Sequence, residues 1–268
     1  MKCVTIALNI MSIEECIVDV SLITNVDSIT LSKREKMNDY TFGIKELDNS
    51  VDGLTKGKNI MLIGPPMSGK EIILYNIMYY GAAKNENGII TVTTREPATY
   101  ILDWFKEHNL NLPMSRIGII DCVTKILGSS EVENDNIKIT GSPVDLTGIG
   151  VKISQFLDEF YMKKKIRKNQ LHINSLSTLL MYSNIQTVFR FLHVFTGRIK
   201  GAGALGIFVL ESGMHDDKDI NTLKQLFDGI IEIKSENDRN FIRVIGLSPK
   251  PTPWFQYEIE GANIKMVE

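Results

Sequence analysis

"NIMLIGPPMSGKE", residues 59–71, decides the fold. An apolar run ends at Gly64, a Gly- and Pro-rich turn follows, and Gly69 with Lys70 opens a stretch of helical period. Strand, loop and helix in that order around G-x-x-x-x-G-K make a phosphate-binding loop. Backbone amides of residues 66–70 are expected to cradle phosphate, with Lys70 reaching the outer phosphates. The candidate nucleotide-binding residues are therefore Gly64, Pro66, Met67, Ser68, Gly69, Lys70 and Glu71. One position breaks the motif. Its eighth residue is ordinarily Ser or Thr, whose hydroxyl ligates the Mg²⁺ that travels with a nucleotide, and here it is Glu71.

Outward from the loop, short apolar runs alternate with longer stretches of helical period, the pattern of βα units on a mostly parallel sheet. Buried strands are expected at 59–64, 88–94, 116–122, 170–176 and 205–211. Helices are expected at 69–83, 97–109, 147–164 and, as one long element, 176–200. "GIIEIKS", "NFIRVIGLS" and "WFQYEIEG" alternate apolar and polar residues between Asn-, Asp- or Pro-rich turns and read as antiparallel strands at a sheet edge. The fold class is α/β, a central parallel sheet flanked by helices with antiparallel C-terminal strands. Residues 1–38, ending in the charged "SKREKMN", read as an N-terminal extension to a domain spanning 39–268.

The metal side of the site departs twice. A later strand in such folds ends in an Asp that orients a water on the metal, and the corresponding strand, "QLHINSLSTLL", ends in Asn174. Glu71 and Asn174 read as reciprocal changes that move one carboxylate across the site, which makes both of them metal candidates. A carboxylate about 5 Å from a phosphate repels it by roughly 3 kcal/mol at an effective dielectric near 20, unless a cation cancels the charge. The pattern fits either decay of the site or an altered use of Mg²⁺. Glu96, closing "VTTRE", is the candidate base for an attacking water; its plainer role is a carboxylate beside a helix start at Pro97.

Composition bounds the rest. The chain has 268 residues, 43% of them hydrophobic, with 30 Lys and Arg against 32 Asp and Glu, giving a formal charge of −2. No apolar run approaches the roughly 20 residues of a membrane span, and no secretory leader is evident. Three scattered cysteines, Cys3, Cys16 and Cys122, point to neither disulfides nor zinc and suggest a cytoplasmic protein. The run "KKKIRK" at 163–168 reads as a solvated helix end. "ESGMHDDKD", following the 205–211 strand, is acidic and counts against DNA binding, though His215, Asp216 and Asp217 within it form a weak divalent-ion candidate.

With these residues in place, 39–268 resembles the RecA superfamily and, within it, the archaeal KaiC-like ATPases. The likeness rests on "TFGIKELDNSVDGLTKGKNIMLIGPPMSGKE", "GIITVTTREP", "LHINSLSTLL" and "TLKQLFDGIIEIKSENDRNFIRVIGLS". The stretch from "GSPVDLTGIGVKISQFLDEF" to "GIFVLES" resembles a divergent branch implicated in signal transduction. This resemblance implies ATP or ADP bound between subunits of a homo-oligomer, often a hexamer; the protein partner stays unidentified, and the acidic loop counts against nucleic acid. The resemblance also implies a basic residue offered to the neighbour's nucleotide, which falls on Arg243, and paired glutamates after the second strand, of which the first falls on Arg95 and only the second on Glu96. The implied function is a nucleotide-binding regulatory or signalling protein with weak or absent hydrolysis. Its rivals are an active Mg²⁺-dependent ATPase using Glu71, a recombinase paralogue holding single-stranded DNA, and a scaffold that binds no nucleotide.

Overall fold

The computed structural model describes residues 39–51, 53–128 and 132–267. The N-terminal extension expected at 1–38 lies outside the described residues.

Apolar runs bounded by turn residues form the strands at the heart of the molecule. β1 (Asn59–Gly64), β2 (Gly88–Thr93), β3 (Ile117–Asp121), β5 (Asn169–Ile173) and β6 (Leu205–Glu211) are buried along their whole length, as strands covered on both faces should be. With β4 (Ile137–Ile139), β7 (Gly229–Glu236), β8 (Arg239–Ile245), β9 (Phe255–Glu260) and β10 (Asn263–Val267) they build one sheet in the order β10-β9-β8-β7-β1-β6-β5-β2-β3-β4. From β7 to β4 every neighbouring pair is parallel. From β7 to β10 every pair is antiparallel. The sheet is thus mixed and mostly parallel, as the sequence pattern implies.

Side chains alternate across β1 and sort the helices onto two faces. Met61 and Ile63 pack beneath α4 (Leu146–Asp158), α5 (Leu176–Tyr182), α6 (Ile185–Ala202) and α7 (Asp217–Lys224). Ile60 and Leu62 pack on the other face with α1 (Lys45–Ser50) and α2 (Lys70–Tyr79). α3 (Ala98–Glu107) closes that second face over β2 and β3. No helix among the described residues is long and apolar enough to cross a membrane.

Several elements differ from their sequence reading. The helix expected at 176–200 is two helices, because Asn184 turns its side chain onto the backbone N–H of Thr187 and starts α6 afresh. β7, expected at a purely antiparallel edge, pairs parallel with β1 on one side and antiparallel with β8 on the other. The acidic stretch after β6 is partly helical: Asp217 and Asp219 occupy the first turn of α7, where negative charge suits the helix dipole, and Ile220 and Leu223 are buried. α1, β4 and β10 are additional elements.

Candidate functional site

The chain leaves β1, forms α2 and returns at β2, passing over β6 and β5. The loop after β1 therefore lies at the carboxyl ends of the parallel strands beside β6, the place where ligands bind in open α/β sheets. That loop forms the floor of the site. Met67 and Gly69 both take left-handed backbone angles, φ 59° and 78°, and Gly69 precedes α2 with no side chain capping the helix. The backbone N–H groups of Met67, Ser68, Gly69, Lys70 and Glu71 find no hydrogen-bond partner among the described residues. Pro66 has no N–H to give, so the donors run over 67–71 rather than 66–70. Unpaired N–H groups at a helix start form an anion nest.

The loop is braced from below. The Tyr257 hydroxyl on β9 donates to the Ser68 carbonyl at 2.5 Å, and burial pushes that phenol's pKa up. Ser68 Oγ in turn donates to the Pro65 carbonyl at 2.8 Å. A Cβ at Gly69 would lie 1.9 Å from Ile259 Cδ1, so the C-terminal strands admit only glycine here without shifting.

Side chains on the walls are already engaged. Lys70, the motif lysine, has no exposure and turns inward, with Nζ 2.5 Å from the Pro65 carbonyl and ion-paired at 2.7 Å with Oε2 of Glu211. Glu211 closes β6 opposite Gly64, with its side chain 10% exposed. Its other oxygen, Oε1, accepts from Arg95 Nη1 at 3.3 Å. The same Nη1 lies 2.6 Å from Oε1 of Glu71. Four charges thus form one line, Lys70–Glu211–Arg95–Glu71, with no net charge.

That line corrects the pairing read from the sequence. Glu71 does not exchange roles with Asn174; it meets Arg95. Asn174 instead ties β5 to β2. Its Oδ1 accepts from the Thr94 N–H at 2.9 Å and the Thr94 hydroxyl at 3.2 Å, and its Nδ2 donates to Thr93 Oγ1 at 3.1 Å. Glu96 takes a 2.6 Å hydrogen bond from the Tyr75 hydroxyl, whose pKa is raised by burial and then by the Glu96 charge. It lines a groove of about 530 Å³ with Glu71, Tyr75, Tyr100, Asp103 and Trp104. Arg243 pairs within its own chain, 2.6 Å from Glu232 across β7 and β8, and stacks on Trp254 at 4.4 Å.

Mg²⁺ does not fit this donor set as arranged. The carboxylate of Glu71 is spent on a guanidinium, the amide of Asn174 on Thr93 and Thr94, and no three His, Cys, Asp or Glu converge as a metal cluster among the described residues. His215, Asp216 and Asp217 are included in that result; Asp217 instead begins α7. Phosphate does fit, through the free N–H groups of the floor.

Sequence reasoning missed Glu211. Its signal was a carboxylate ending an apolar run, "LGIFVLE", and it becomes telling only once β6 is known to lie beside β1. Arg95 entered only as a departure from paired glutamates.

Comparison with known proteins gives two findings. The model of a family of unknown function, DUF7504, matches residues 57–233. A KaiC-like protein from the hyperthermophilic archaeon Pyrococcus horikoshii OT3 has a solved structure that matches with a TM-score of 0.63 at 14% identity, covering 85% of this chain and 98% of that one. At this identity the likeness establishes the architecture, a KaiC-like RecA fold. No curated protein matches the sequence.

Proposed function

The chain belongs to this family of unknown function, DUF7504, and we propose that it is a nucleotide-binding regulatory protein whose site binds ATP or ADP and hydrolyses it weakly or not at all. One observation carries the reading: the unpartnered N–H groups of residues 67–71 at the start of α2, at the strand ends of a KaiC-like fold. They offer phosphate oxygens a fixed set of donors. Lys70 completes the site by leaving Glu211 for the outer phosphates, so binding and breakage of that ion pair are coupled.

Weak hydrolysis follows from the walls. A hydrolase needs a carboxylate free to orient water and a charge at the end of the β5 strand. Glu96 is held by Tyr75, and the β5 position is the neutral, fully engaged Asn174. A protein that binds nucleotide without spending it suits signalling, the role of the branch it resembles. The reading includes a cytoplasmic homo-oligomer, with Arg243 reaching a neighbour's nucleotide once released from Glu232.

Calorimetry with ATP and with ADP, beside a phosphate-release assay, tests the reading on the wild type and on Lys70→Ala. Saturable binding that is lost in Lys70→Ala, without phosphate release, is the expected result. Lys70-dependent phosphate release would instead make the protein an ATPase. No binding at all would leave a scaffold.

A further inference from the structure

Arg95 supplies the cation that meets the residue at the motif's metal-ligating position. Glu71 stands where the loop's metal-ligating hydroxyl is expected, and the cation it meets is the Arg95 guanidinium at 2.6 Å. Glu211, beside the floor of the site, faces the same nitrogen at 3.3 Å. Two carboxylates converging on one cation next to a phosphate nest is the arrangement a divalent ion would otherwise hold together. The guanidinium is also only half used. Both contacts go through Nη1, and its Nε and Nη2 have no partner among the described residues. The side chain is 46% exposed, so a ligand can reach it. A guanidinium keeps its charge at any working pH, and its planar fork suits two phosphate oxygens.

Resting on the nucleotide reading above, we propose that Arg95 is a built-in replacement for Mg²⁺, so that the site binds the nucleotide without needing its magnesium complex. Arg95 neutralises Glu71, whose negative charge would otherwise repel the phosphates, and presents its free edge to them. The charge order explains why a glutamate is tolerated at the head of α2. It also accounts for the arginine in place of the first of the paired glutamates, since the two departures cancel one another.

Titration of ATP in excess EDTA and again in excess Mg²⁺ tests this on the full chain, using the wild type, Arg95→Gln and Arg95→Lys, with thermal melts to show that each variant is folded. The wild type should bind equally well, within about threefold, in both buffers. Arg95→Gln should lose about 10- to 100-fold in EDTA, the range expected for charge-assisted hydrogen bonds. Mg²⁺ should restore part of that loss, because the freed Glu71 and Glu211 can then ligate it. Arg95→Lys should fall between, keeping the charge without the fork. Wild-type binding that drops more than tenfold in EDTA overturns the replacement while leaving the nucleotide reading intact. Absence of ATP binding in both buffers overturns the nucleotide reading itself, and this inference falls with it.

Discussion

The loop at 64–71 and the strand ends around it are built on opposite terms. In the loop the backbone holds out N–H groups that nothing among the described residues satisfies. On the strand ends Lys70 is held by Glu211, Arg95 by Glu71, Asn174 by Thr94 and Glu96 by Tyr75. The floor presents unpaired donors, whereas the walls satisfy one another. Loop geometry follows from a strand turning into a helix through glycine. The walls depend on individual side chains, and every departure from the motif is a side chain engaged there, that of Glu71 from the loop included. A site that had merely decayed would leave charges stranded; here the two charged departures, Glu71 and Arg95, meet each other, and Asn174 meets Thr93 and Thr94.

The sharpest way to break this contrast is to strand a charge in the wall. Glu211→Gln removes the counter-charge of Lys70, whose ammonium is buried. Breaking a buried pair from one side costs about 3–5 kcal/mol. Urea unfolding should show a loss of that order, and Lys70→Met combined with Glu211→Gln should recover much of it, since no charge is then left alone. If Glu211→Gln costs less than about 1 kcal/mol, Lys70 is not held by the wall and is as free as the floor.

Asn174→Ala probes the wall where it carries no charge. The change leaves the Thr94 N–H, buried between β2 and β5, without its acceptor. An orphaned buried donor costs about 1–3 kcal/mol. We expect a fall of about 2 kcal/mol in the same urea experiment, with the phosphate affinity of the floor unchanged. A neutral outcome would mean that Asn174 is a vestige of the motif and not a strut.

These contrasts explain which parts of the molecule were legible in the sequence. β1 and β6 lie where their apolar runs end, at 59–64 and 205–211, because strands covered on both faces leave unbroken signals. β4 escaped notice, being three residues long with Lys138 at its centre. α7 begins in "HDDKD", whose acids read as loop although they suit a helix start. The long helix read at 176–200 hid its own break, since the apolar spacing continues across Ser183 and Asn184 while Asn184 caps α6. Within the site, the floor was legible because residues 64–71 are contiguous. The wall was not, because Glu71, Arg95 and Glu211 come from three separate places in the chain and meet only through strand order.

His172 offers the smallest and most selective test. It lies on β5 two residues before Asn174, fully buried, with Nε2 2.9 Å from Gln170 Oε1 and no partner at Nδ1. Burial lowers its pKa to about 3. The unfolded chain takes up this proton as the pH falls through about 6.5, the ordinary value, but the native chain refuses it until near pH 3. Stability from the neutral ring is therefore complete above about pH 6.5 and declines on acidification by about 1.4 kcal/mol per pH unit until the folded pKa is reached. His172→Gln keeps a donor towards Gln170 and removes the titration. Between pH 7.5 and 5.5 the wild type should lose about 1.4 kcal/mol more than this variant, and all other titrating groups cancel because both proteins share them. Such a difference would show that β5, beneath the self-satisfied wall, still carries an unmet polar atom of the kind found in the floor. Equal slopes in the two proteins would place the acid sensitivity elsewhere.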